Sequence, residues 1–128
     1  MNNKARLEAL ARIAAMRKEA DLMAVARADT ARDRVKARID ALDSAAAASH
    51  QLPATDIASI AAQESFGRLV TVQRADLDRD LAELTEIWRR HRDNAALSFG
   101  RARVLEQLRE RITDQTTKRR IRRSDDTR

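Results

Sequence analysis

Between Val70 and Ile112, alternate steps of four and three residues land on Val70, Arg74, Leu77, Leu81, Leu84, Trp88, His91, Ala95, Ser98, Ala102, Leu105, Arg109 and Ile112, and 9 of these 13 positions are apolar. A repeat of 3.5 residues held for six heptads marks a narrow helical face of the kind that forms a coiled-coil seam. Such a seam requires a partner helix.

The chain supplies one. From Lys4 to about Ala46 there is no Gly and no Pro, and the composition favours a helix of about 40 residues, roughly 60 Å long. Two apolar stripes are legible in it. Leu10, Ile13, Met16, Ala20 and Met23 form one, and Val25, Ala28, Ala31, Val35, Ile39 and Leu42 form the other. The change between them near Met23 to Ala28 reads as a stutter, which locally unwinds a supercoil. Pro53 disfavours helix at Leu52, so a turn is expected over about 47–55. Thr55 is the expected N-cap, with Asp56 in the first turn of a second helix over about 56–116. Gly67 and Gly100 fall inside that helix at about 1 kcal/mol each relative to Ala, and Gly100 is the expected place for a kink or an end.

The expected fold is therefore all-α: a long antiparallel two-helix coiled-coil hairpin over 1–116, with a protruding second helix and a basic tail over 117–128 that is frayed or disordered. Counting back from the turn pairs the first helix with about Asp56 to Phe99. The remainder, with Ala102, Leu105 and Ile112, then overhangs as an apolar stripe that calls for a second protein.

Composition excludes several classes of function. Charged residues make up 36% of the 128, aromatics 2%, and there are 2 Gly, 1 Pro and no Cys. Disulfide and thiolate chemistry are absent, and a reducing compartment is the natural setting. Met1 to Ala15 alternates basic and apolar residues without a continuous apolar core, unlike a signal peptide. No apolar run approaches a membrane span, and the expectation is a cytoplasmic protein. Neither a phosphate-binding Gly-Lys loop nor a dinucleotide-binding Gly pattern occurs.

Single residues add little chemistry. His91 lies on the seam and His50 in the turn region, so register-setting accounts for His91 better than catalysis or metal binding. Trp88 falls at a seam position and reads as hairpin core, with an exposed partner anchor as the alternative. Asp76, Asp78, Asp80, Glu83 and Glu86 are interleaved with Arg74, Arg79, Arg89 and Arg90, a spacing that gives ion pairs along a wet helix. No enzyme, cofactor or metal site is expected.

The net charge of +6 is unevenly placed. Residues 113–128 hold 6 basic and 3 acidic side chains, and Lys118, Arg119, Arg120, Arg122 and Arg123 form a run suited to an acidic protein surface, nucleic acid, an anionic membrane surface or solubility alone. Aromatic or Gly-interleaved basic patches, usual in nucleic-acid binders, are missing.

Phe99-Gly100-Arg101-Ala102-Arg103-Val104-Leu105-Glu106-Gln107-Leu108-Arg109-Glu110-Arg111, followed by the Arg-rich tail, resembles the end of the second helix in the flagellar and type III secretion export stalk family, the FliJ and YscO type. The Ala- and Arg-rich first helix, with Ala9-Leu10-Ala11-Arg12 and Lys18-Glu19-Ala20, is compatible with it. This resemblance implies a non-enzymatic cytoplasmic stalk that contacts a hexameric export ATPase through its helix ends and the export gate at the membrane through its hairpin, and in some members binds substrate chaperones. Transferred to this chain, it implies a ring contact at Arg103, Leu105, Leu108, Arg109 and Ile112, and a gate contact at Phe66, Leu69 and Val70. An unrelated coiled-coil adaptor or oligomerisation protein, or a basic nucleic-acid-binding hairpin, is the alternative.

Overall fold

The computed structural model describes residues 2–127 and contains two helices, α1 (Asn3–Gln51) and α2 (Ile57–Asp126), packed against each other as an all-α helical hairpin. It forms two compact units, one of Ala26–Arg90 and one of Met1–Val25 with His91–Arg128.

In the unit of Ala26–Arg90, α1 continues five residues beyond the expected end because its Ala run is good helix former and nothing stops it before Pro53. The turn is correspondingly shorter. Asp56, and not Thr55, caps α2: the Ser59 amide donates to Asp56 Oδ1 at 2.7 Å, and the Ser59 hydroxyl donates to the same oxygen. Those two bonds hold the Asp56 carboxyl below its ordinary pKa, the hydroxyl bond first and the amide bond second. Across the turn, Gln63 Nε2 donates to the carbonyl oxygens of Ser49 at 3.2 Å and Leu52 at 2.8 Å. These bonds satisfy acceptors that the end of α1 leaves open.

The core of this unit is a stripe one residue wide. Ala28, Val35 and Ile39 of α1 are buried, with Ala31 and Leu42 half-buried on the same face. Facing them are Phe66, Val70, Leu77, Leu81, Leu84 and Trp88 of α2, all half-buried. Arg32 closes the stripe above Trp88. Its guanidinium stacks 4.5 Å from the ring centroid, its Nε donates to Thr85 Oγ1 at 3.3 Å, and its Nη1 lies 3.6 Å from Asp29. Trp88 thus lies in the seam, as its heptad position predicts. Arg74, also on the seam, bridges Asp43 of α1 and Asp78 of its own helix, which raises its pKa further, through Asp43 first. The acidic cluster forms the short-range pairs expected of it, Asp76 with Arg79 at 3.6 Å and Glu86 with Arg89 at 2.8 Å.

In the unit of Met1–Val25 with His91–Arg128, the Asn2 side chain caps α1 by accepting the Ala5 amide at 2.7 Å. The first apolar stripe is not the seam here. Leu10, Ile13, Met16, Ala20 and Met23 are all exposed, while Leu7, Ala11, Ala14, Lys18, Asp21 and Val25 carry the coverage. Those positions continue by fours and threes into Ala28, Arg32, Val35, Ile39 and Leu42, so the heptad runs through α1 without the expected stutter. Apolarity alone misplaces the seam because two of its positions in this unit are charged. Each charge has a partner at the seam edge: Lys18 Nζ lies 5.1 Å from the Phe99 ring centroid, and Asp21 accepts a hydrogen bond from the Ser98 hydroxyl and lies 3.7 Å from Arg17. Ser98 is 4% exposed, and with Ala95 it forms the buried part of α2 in this unit.

α2 passes through both glycines without ending. A Cβ at Gly67 or Gly100 would meet open space, so neither marks a close approach and each carries only its entropic cost. The helix also continues ten residues past Thr116. Thr113, Thr116 and Thr117 donate their hydroxyls to the carbonyls of Arg109, Ile112 and Thr113 at 3.0, 2.9 and 3.0 Å, so their hydroxyls are satisfied within the helix itself. The Lys and Arg residues that follow are good helix formers, and the tail expected to fray is helix to Asp126.

Candidate partner-binding surfaces

The overhang expected from Ala102 onward is shorter in the structure. Because α1 begins at Asn3, its first turns lie along α2, and Ala102, Leu105, Ile112 and Thr116 are all half-buried. Ala11 and Ala15 share a groove with Ala102, Glu106 and Glu110. Past Thr116 every described residue to Thr127 is exposed. The unpaired projection is thus 117–126, about 15 Å of helix at 1.5 Å per residue. It carries Lys118, Arg119, Arg120, Arg122 and Arg123, the exposed Ile121, and then Asp125 and Asp126.

The five residues expected to form a ring contact do not make one surface. Leu105 and Ile112 belong to the seam and are half covered by α1. Leu108 is exposed on the adjoining flank, and Arg109 is exposed and lies 3.6 Å from Glu106. Arg103 is about 160° around the helix from Leu105 at 100° per residue, and it lines the opposite groove with Lys18 and Phe99.

The turn-proximal trio separates in the same way. Phe66 packs in a shallow depression with Ala45, Ala48, Ser49 and Leu52. Val70 is on the seam, and Leu69 points outward. What the turn presents instead is Leu52, Ile57 and Ile60, all exposed, with Ile57 at 87%. Their signal in the sequence was the apolar residues flanking the Pro53 break.

A second apolar surface occupies one flank of the unit of Met1–Val25 with His91–Arg128. Leu10, Ile13 and Ala14 of α1 and Leu97, Val104 and Leu105 of α2 line a groove of about 690 Å³, together with Arg17 and Arg101. Apart from Ala14 and Leu105, these apolar side chains are surplus to the hairpin seam.

Among the described residues no cluster of three or more His, Cys, Asp or Glu is placed to hold a metal ion, and no helix is long and apolar enough to cross a membrane. His91 is half-buried in the seam, and His50 is exposed in the last turn of α1. Fold and surface together define a helical-hairpin protein with exposed apolar and basic surfaces. Comparison with protein-family models, with curated proteins and with solved structures gives no match.

Proposed function

We propose that this chain is a non-enzymatic stalk of the flagellar and type III export kind, coupling a hexameric export ATPase to the export gate at the cytoplasmic side of the membrane. The observation that carries this reading is the helical projection 117–126, exposed on all sides and bearing five basic residues within six positions. A stiff basic helix that outlasts its partner suits insertion into an acidic channel at the centre of a ring, where long-range attraction speeds encounter. The ring contact then moves from Leu105 and Ile112, which the hairpin covers, to Lys118, Arg119, Arg120, Arg122 and Arg123. The gate contact moves from Phe66 and Val70 to the exposed Leu52, Ile57 and Ile60 at the turn. Coupling in such a device is mechanical and allosteric, since a hairpin transmits position without chemistry of its own.

The test is ATP hydrolysis by the export ATPase of the same genome, with the full chain and with a chain ending at Thr116. Stimulation by the full chain and its loss on truncation, with helicity otherwise retained, are the expected results. Equal stimulation by both chains, or none by either, overturns the proposal.

A further inference from the structure

The flank groove poses a question the hairpin does not answer. In this unit the seam accepts Lys18 and Asp21, while Leu10, Ile13, Leu97 and Val104 stand exposed beside it. Hairpin packing alone would favour the reverse arrangement.

Charge around the groove narrows the answer. Steps of four and three along the α2 flank give Leu97, Arg101, Val104, Leu108 and Arg111, and on α1 they give Arg6, Leu10, Ile13 and Arg17. Every charged residue in both rows is Arg. Glu106 and Glu110 line the groove on the opposite flank, which is also where the spacing of Glu8 and Glu19 puts them. Arg17 and Arg101 line the groove together, and along the α2 row Arg101 separates Leu97 from Val104 and Leu108. By heptad position Arg6 and Arg111 stand about 16 Å further along at 1.5 Å per residue, so Leu10, Ile13, Val104 and Leu108 fall between the two arginine pairs. Asp21 lies 3.7 Å from Arg17, but among the described residues no carboxylate pairs with Arg101 or Arg111.

We propose that this groove docks one amphipathic helix of a partner protein, about three turns long, with acidic residues at both ends of its apolar face. The occupant's apolar side chains meet Leu10, Ile13, Val104 and Leu108, and its carboxylates meet the two arginine pairs. A second copy of this chain is the poorer occupant. Pairing this face with itself, parallel or antiparallel, sets arginines against arginines at both ends, and like charges across an interface are unfavourable. The inference stands apart from the stalk reading, because the groove lies on the paired part of the helices and not on the projection.

Fluorescence anisotropy with the full-length chain tests it. The probe is a synthetic Ala-based helical peptide of about 18 residues, with Leu along one face and Glu at both ends of that face, compared with the same peptide carrying Lys for Glu. The Glu peptide is expected to bind at least about tenfold more tightly than the Lys peptide, and Arg101→Glu and Val104→Asp are each expected to weaken it by about tenfold or more. Both substituted positions are exposed, so circular dichroism should show unchanged helicity. A chain ending at Thr116 should bind the Glu peptide as the full chain does, which separates this result from failure of the stalk reading. Equal binding of the two peptides, or binding of neither at low salt, overturns the proposal. So does a sedimenting dimer that Val104→Asp converts to monomer, since a second copy would then fill the groove.

Discussion

Removing the same atoms from two isoleucines of α1 should give very different results. Ile39 is 7% exposed and Ile13 is 62% exposed, although both belong to apolar stripes of comparable strength. Full burial of an isoleucine side chain contributes about 1.5–3 kcal/mol. Ile39 retains nearly all of that, and the space left by truncation adds a further cost, so Ile39→Ala should destabilise by about 2–3 kcal/mol. Ile13 has roughly a third of the burial, about 0.5–1 kcal/mol, and the higher helix propensity of Ala returns about 0.4. Ile13→Ala should therefore cost about 0.5 kcal/mol or less. Urea unfolding followed by circular dichroism at 222 nm reads both, with the midpoint shift taken at constant slope. A loss of 2 kcal/mol or more at Ile13 would refute the assignment of the seam to Leu7, Ala11, Ala14, Lys18, Asp21 and Val25, and a loss of less than about 1 kcal/mol at Ile39 would refute its place in the Ala26–Arg90 core.

Two further outcomes follow from the turn. Gln63→Ala removes the bonds to the Ser49 and Leu52 carbonyls and should cost about 1 kcal/mol, with faster amide exchange confined to the last turn of α1; unchanged exchange there would show that the bonds carry no weight. The Asp56 pKa is depressed in the folded chain, so its contribution is full above the unfolded value and disappears as pH falls through the folded value, below the usual carboxylate range near 4. Acid titration of the parent and of Asp56→Asn should diverge above that window and converge below it, and parallel curves would contradict the cap.

The all-α hairpin was legible because α2 places apolar residues at most of its seam positions and because Pro53 is the one residue that must break the helix. The α2 seam is covered at every one of its 13 positions except Arg109. In α1 the reading divided. Val25 to Leu42 was found because its heptad is apolar, whereas Leu7 to Asp21 was missed because alanines and two charges occupy the seam and larger apolar residues lie beside it. Periodicity reports where apolar residues recur and is blind to a Lys held over a Phe ring or an Asp bonded to a buried Ser. Misplacing that seam also misplaced the overhang. Once the first turns of α1 pair with α2, Leu105 and Ile112 lie in the seam and the basic run alone projects. The exposed Leu52, Ile57 and Ile60 were visible in the sequence but carry no period, so their grouping at the turn came only with the fold.

The chain has one Trp and no Tyr, and the Trp is held in the seam of Ala26–Arg90 beneath the Arg32 guanidinium. Near-ultraviolet emission of the native protein is therefore the property of a single heptad. Separation of the helices there would move the indole into water and away from the cation, shifting its emission to longer wavelength, while events at Met1–Val25 with His91–Arg128 would pass without an optical signal of their own. An unlabelled molecule thus carries a local strain gauge in one of its two units, and a partner that prises that unit apart would announce itself by colour.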